Sequence, residues 1–288
     1  MTAANKTATD HTAAISNDSR GRVWLTALTD GKSAPAYGKT SVIYADASLG
    51  RETARFIAVV PDPTNRFPRA RMGEVGLEQG WILAKLVRDT MAADKDGARR
   101  PIIAVVDVAS QAYGRREEML GIQLACAAAV DAYAEARLAG HPMIGLLVGH
   151  AMSGAFLAHG YQANRLVALD DPGVLVHAMG KQAAARITRR SVAELDALGE
   201  KIPPMSYDIR NYAKLGLLHA LIGGVQADKP GPADIEKVRQ VLIETLGDIR
   251  ASGSRDLSNR LTSPEAKKTR AASIEVRRRL AEQWSQPN

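Results

Sequence analysis

Two short segments of small and polar residues stand where apolar runs give way to helical patterns, Ala109-Ser110-Gln111-Ala112-Tyr113-Gly114 and Gly149-His150-Ala151-Met152-Ser153-Gly154-Ala155. The second suits the binding of developing negative charge. Glycine and alanine let a substrate approach main-chain N–H groups, and the first amides of a helix lack intrahelical acceptors. The same small residues equally permit tight helix–strand packing. In the first segment the donors are backbone amides, the Gln111 carboxamide and the Tyr113 hydroxyl; its plainer role is a polar turn. His150, at the mouth of the second apolar run, has the side-chain chemistry to pass a proton near neutral pH, or else a structural role. His159 and His177 read as packing or network residues.

A rival chemistry uses Ser153 as a nucleophile, since Ala151-Met152-Ser153-Gly154-Ala155 is a small-residue variant of the hydrolase elbow between strand and helix. Its acid and base, in chain order, are Asp170 or Asp171 and then His177 or His219. The acids follow Ser153 by fewer than about twenty residues, which leaves little chain for the intervening strands of that fold. Separately, Arg66, Arg69 and Arg71 cluster in Asn65–Gly73 densely enough to bind a phosphate or a partner's carboxylates, or to form a solvated loop.

These groups sit in a chain of 288 residues with 45% hydrophobic and 24% charged residues. It has 48 alanines but 13 aromatics, a globular composition built on small-residue packing that excludes disorder throughout and a collagen-like chain. The single cysteine, Cys126, excludes an internal disulfide scaffold, and no Cys/His pair has zinc-ligand spacing. No metal site is expected. No apolar run reaches the roughly 18 residues of a membrane span, so the expected location is the cytoplasm, with no membrane contact. The net charge is +7, and from residue 250 onward nine basic residues face four acidic ones. Without interleaved aromatics, that tail reads as a solvated or docking helix rather than a nucleic-acid reader.

The elements that must position the two segments follow from periodicity. Residues 1–19 carry no pattern and read as a mobile leader, 20–250 as one domain, and 251–288 as a basic helical tail. Thr40–Tyr44 and Arg55–Val60 read as strands, and Gly76–Thr90 as an amphipathic helix. Pro101–Asp107 and Met143–Val148 have the uninterrupted apolar pattern of strands covered on both faces. Each leads through a loop into a helix, the first over Glu117–Ala139 and the second running to Ala163. Further strands are expected at Asn164–Leu169 and Val174–His177. Helices are expected at Gly180–Thr188, Tyr207–Leu215, Ala233–Asp248 and, with Ser263 as cap and Pro264 in the first turn, Glu265–Trp284. In such α/β units the ligand crevice lies at the strand C-terminal ends.

The order of these pieces resembles the carboxyltransferase branch of the crotonase superfamily. The resemblance is carried by Pro101–Val108, Gly114, Glu118 before Gly121-Ile122, Ala132-Tyr133, Pro142, and Ser153-Gly154-Ala155-Phe156. Ala178–Ile187 is similar to that branch's Met-Gly-x-x-x-Ala-Ala-x-Ile helix start, and Leu215–Ile222 to its closing segment. More narrowly, Asn65–Arg71, Glu74–Glu78, Ser110–Glu118 and Gly160–Arg165 resemble the gamma subunit of biotin-independent malonate decarboxylase, over about residues 20–250. The chain has Ser110-Gln111-Ala112-Tyr113 where biotin-using relatives carry a Gly-rich loop. It also lacks a Met-Lys-Met biotinylation site, which favours a biotin-free reaction.

The resemblance implies an α/β, crotonase-like ββα spiral with helices packed around the sheet. It implies a complex with a homologous beta subunit, an acyl-carrier protein and an acyltransferase subunit. The implied reaction is decarboxylation of a malonyl thioester on the carrier to the acetyl thioester. No cofactor is expected to be covalently bound; the carrier's phosphopantetheine-type or CoA-derived group is the thioester handle, with Arg66, Arg69 and Arg71 as its candidate contacts. Amides at Ser153 and Gly154, with those around Gln111 and Ala112, are the candidate oxyanion donors. His150, Tyr113 or a partner residue is the candidate proton donor. Alternatives are carboxyl transfer to a biotin carrier, a structural subunit with its chemistry in the beta chain, and a serine hydrolase.

Overall fold

The computed structural model describes residues 19–285. The expected leader lies outside the described residues apart from Ser19, whose hydroxyl accepts from the Arg22 amide and caps the first helix. In chain order the elements are α1 (Arg20–Leu28), β1 (Ala34–Ala36), β2 (Lys39–Leu49), β3 (Glu52–Val59), α2 (Leu77–Ala93), β4 (Ile102–Val108), α3 (Arg115–Met119), α4 (Ile122–Leu138), β5 (Met143–Met152) and α5 (Ser153–Ala158). They continue with β6 (Arg165–Leu169), β7 (Val176–His177), α6 (Lys181–Thr188), α7 (Val192–Lys201), α8 (Ile209–Ala213), β8 (Ala220–Ile222), α9 (Pro232–Ser252), α10 (Asn259–Thr262), α11 (Pro264–Thr269) and α12 (Ala271–Trp284).

The strands form one eight-stranded sheet in the order β1-β2-β3-β4-β5-β6-β8, with β7 joined to β5. β1, β2 and β3 pair antiparallel, and every pairing from β3 onward is parallel. Parallel strands need crossovers, and the helices that supply them cover the sheet. Accordingly β6 is buried along its whole length, and β4 and β5 are buried except at Asp107 and His150. The only polar breaks in the two central strands therefore fall near their C-terminal ends.

Several local expectations change. Gly149–Met152, read as a loop, continues β5 as strand. α5 stops at Ala158 rather than Ala163. The Glu117–Ala139 helix is split at Leu120-Gly121 into α3 and α4, and the helix expected over 265–284 breaks at Arg270. α1, α7 and β8 have no counterpart in the sequence reading. α9 crosses residue 250 without interruption, and the tail's Arg260 is buried, its Nη2 donating to the carbonyls of Tyr161 and Ala163 at 2.8 and 2.6 Å. α12 has no buried residue.

Alanine spacing sets the helix layer. Ala125, Ala129, Ala132 and Ala136 of α4 are fully buried at 4-3-4 spacing, one face of a helix, and α4 packs on α2. At the crossing, a Cβ added to Gly80 would lie 2.5 Å from the Ala125 carbonyl oxygen, so the two backbones are in contact. Gly80→Ala must push α2 off α4. The expected cost is about 1–3 kcal/mol, the usual penalty for overpacking; an unchanged urea midpoint would contradict this packing.

His159 ties three elements. Fully buried at the end of α5, its Nε2–H donates to the Val105 carbonyl of β4 at 3.1 Å and its Nδ1 accepts from the Tyr133 hydroxyl of α4 at 3.0 Å. Desolvation pushes its pKa from the ordinary 6.5 down to about 4. The unfolded chain then binds the proton more readily, so this stabilisation is complete above pH ~6.5 and is lost as pH falls towards ~4, by up to about 3 kcal/mol. Burial lowers His141, His177 and His219 too, with the same sign. Urea unfolding between pH 6.5 and 5 should weaken steadily in the wild type and less steeply in His159→Gln; parallel profiles would refute this role.

Candidate active site at the ends of β4 and β5

Between the pairs Val106↔Leu147 and Val108↔Ala151, three residues of β5 stand against one of β4, Asp107. This bulge re-aims the strand end. Asp107 holds it in place: Oδ1 accepts from the His150 amide at 3.0 Å, and Oδ2 from the Gly21 amide of α1 at 3.3 Å. A Cβ on Gly149 would sit 2.1 Å from Asp107 Oδ1, so glycine is required there. Sequence reasoning did not single out Asp107. Its signal was a carboxylate closing an otherwise apolar strand.

β5 passes into α5 without a loop. Ser153, at the corner, has φ +59°, a strained left-handed conformation for a serine. Gly154 follows in the first turn of α5, where its N–H has no intrahelical acceptor. The β4–α3 loop approaches from the other side. A Cβ on Gly154 would lie 1.9 Å from Gln111 Oε1, and the Tyr113 hydroxyl is 3.5 Å from Ser153 Oγ. Gln111, Tyr113, Ser153 and Gly154 therefore converge at one partly exposed corner.

Other expected members are placed differently. The Ala112 amide donates to the Val75 carbonyl at 2.8 Å and the residue is fully buried, which corrects its assignment as an oxyanion donor. A short bridge between Val75 and Gln111 requires that bond. The Tyr113 amide is likewise engaged by the Gln111 carbonyl at 2.8 Å, leaving the phenol as that residue's available donor. His150 lies within β5 rather than in a loop; its amide is held by Asp107, and its partly exposed imidazole makes no hydrogen bond among the described residues. Arg66 pairs with Glu78 at 2.9 Å, Arg69 with Glu74, and Arg71 donates to the Asn65 carbonyl at 2.7 Å.

The hydrolase elbow gains a strained serine but no base. Among the described residues the one hydrogen-bond partner of Ser153 Oγ is Tyr113. Asp171 and Asp170 are ion-paired with Arg20 and Arg210, at 2.8 and 2.5 Å. His177 stacks on Tyr207 at 4.0 Å with its Nδ1 against the Met179 main chain, and His219 faces Asp248. Among the described residues no cluster of three metal-ligating side chains forms, and no helix is long and apolar enough to cross a membrane.

The corner can thus offer fixed neutral donors to a charge that develops beside it. Its defining contact is testable by stability alone. Gly154→Ala must swing the movable end of the Gln111 side chain aside, so it should destabilise by about 0.5–1.5 kcal/mol, and Gln111→Ala in the same chain should recover most of that loss. Strict additivity of the two changes in urea titrations would refute the contact.

Known proteins arrange themselves around this chain consistently. The family model of the malonate decarboxylase gamma subunit matches residues 70–284. The malonyl-S-ACP:biotin-protein carboxyltransferase MADD of Malonomonas rubra is 31% identical over 209 residues, 71% of this chain and 68% of that protein. A chain of a Pseudomonas malonate decarboxylase hetero-tetramer in complex with coenzyme A is 58% identical, with a TM-score of 0.86 over 92% of this chain and 100% of that one. A chain of the Pseudomonas MdcD-MdcE hetero-dimer is 56% identical, with a TM-score of 0.84 over 93% and 100%. In fold alone, transcarboxylase 12S aligns at 18% identity and a TM-score of 0.60, over 80% of this chain and 40% of that one, in keeping with the crotonase-like spiral. The motifs around Gln111 and Ser153 and the strands β4 and β5 that bring them together lie inside the region matched by the family model, and the chain belongs to the malonate decarboxylase gamma subunit family.

Proposed function

We propose that this chain works with a homologous beta subunit to decarboxylate a malonyl thioester presented by an acyl-carrier protein, and that its β4/β5 corner stabilises the enolate. The meeting of the Gln111 carboxamide, the Tyr113 hydroxyl and the Ser153-Gly154 turn at one corner supports this reading most directly. As the bond to the carboxylate breaks, its electron pair moves through the α-carbon onto the thioester oxygen and carbon dioxide leaves. That oxygen needs donors already in place. The Gly154 N–H, the Gln111 carboxamide and the Tyr113 hydroxyl are of the required kind, and none must change protonation to serve. A proton then reaches the α-carbon from His150, Tyr113 or a group of the partner, leaving the acetyl thioester.

The elements that lead from this corner carry exposed apolar side chains: Met119 on α3, Leu120 at the break between α3 and α4, Leu124 on α4 and Leu157 on α5. A beta subunit seated over them would bury apolar area and exclude water from the donors, strengthening their pull on charge. The carrier's phosphopantetheine-type group enters between the subunits. Of the three candidate arginines, Arg71 alone has no carboxylate partner among the described residues and so suits the group's phosphate. The acyltransferase that loads the carrier completes the complex, in the cytoplasm. Carboxyl transfer to a biotin carrier, the activity in the name of the Malonomonas relative, shares the same first bond cleavage and is a second reading.

Two variants of one residue separate the amide from the space around it. In the assembled complex, Gly154→Pro should turn over about 10²–10³-fold more slowly than Gly154→Ala, since both add a Cβ and only proline removes the donor. Equal rates would exclude the amide. Mass spectrometry of the carrier before and after malonate should register conversion of malonyl to acetyl thioester; carboxylated biotin instead would select the second reading.

A further inference from the structure

At the opposite end of the sheet, where β4, β5 and β6 begin, a cavity of about 170 Å³ lies between the α4–β5 turn and the end of α9. Its polar lining is Arg137, His141, Asn164, Arg250, Ser254 and Arg255, with no carboxylate. Arg250 is ion-paired with Glu52 at 2.6 Å. Arg137 and Arg255 have no carboxylate within ion-pair distance among the described residues. Arg137 is buried, and its guanidinium donates to the carbonyls of Gln162, at 2.9 Å, and of Arg255. Arg255 reaches the Leu138 carbonyl at 2.9 Å. Carbonyl dipoles solvate a guanidinium without cancelling its charge, and buried charges are ordinarily paired.

Neither acid nearby fills the need: the Asp94 carboxylate, 3.9 Å from His141 Nδ1, is ion-paired with Arg100 at 2.6 Å. Asp256 is exposed, and its carboxylate is held by the Ser258 amide and hydroxyl and by the Ser254 hydroxyl, at 2.7–3.0 Å. His141 adds a second open valence. It is 1% exposed, its Nδ1–H donates to the Arg100 carbonyl at 3.0 Å, and its buried Nε2 has no partner. In the neutral ring that Nε2 can accept one hydrogen bond.

We propose that this cavity binds a phosphate-class anion, with Arg137 and Arg255 pairing with its charge and a P–OH available to donate to His141. Hydrogen phosphate and a phosphomonoester share this chemistry. Binding links Ser254 and Arg255, just past α9, to the α4–β5 turn, so it fastens the start of the C-terminal segment to the sheet. The site is separate from the β4/β5 corner and independent of the reading of that corner.

The full chain titrated with inorganic phosphate, against sodium chloride of equal ionic strength, should show one saturable site by calorimetry and a raised thermal midpoint. Arg255→Gln, at an exposed position whose loss leaves the core intact, should weaken binding at least tenfold. Arg210→Gln, which removes an exposed arginine elsewhere, should leave it unchanged. Glycerol phosphate that binds more tightly than inorganic phosphate, and loses that advantage in Arg255→Gln, identifies an esterified source, and equal affinity identifies the free ion. No saturable phosphate binding, or equal binding by Arg255→Gln, overturns the proposal.

Discussion

Backbone meets side chain at the ends of the two central strands with no room for a β-carbon, and the site depends on that closeness. Asp107 can brace the bulge in β5 only because position 149 is glycine. Gln111 can lie against the first turn of α5 only because position 154 is glycine. The abundance of alanine and glycine in this chain therefore has a mechanical meaning. It allows the α2–α4 layer to close on itself and the two strand-to-helix corners to approach one another.

That closeness also determines which donors remain. A short bridge between Val75 and Gln111 brings the β4–α3 loop down to the sheet and engages the Ala112 amide in doing so. What the loop retains for chemistry is side-chain donors, whereas the β5–α5 corner retains a main-chain one. The strained backbone of Ser153 belongs to the same economy: the chain passes from strand to helix without a loop, and the left-handed conformation falls on the one residue at that corner.

Charge is divided between the two ends of the sheet. Neutral donors gather where the strands finish, while arginines without carboxylate partners gather where they begin. His159 lies between, and His141 lies among those arginines; desolvation lowers the pKa of both. A site that must respond to charge created during a reaction gains from donors that carry none beforehand, because nothing then competes for them in the ground state.

The sequence by itself determined the parallel core, since runs such as Pro101–Asp107 and Met143–Val148 have no polar face to offer water, and it located both corners, where small residues interrupt those runs. The family was legible as well, in motifs clustered at the same corners. α7 could have been read from its Ser191–Glu194 capping box, and β7 falls within the strand expected at Val174–His177, but the three-residue β8 exists only through its neighbouring strand. Only the tertiary structure decided that Ala112 has no free amide, that Asp107 braces β5, and that Arg137 is a buried cation. Each of these depends on a partner many positions distant, and periodicity records which face a residue presents, not what chain will be brought against it.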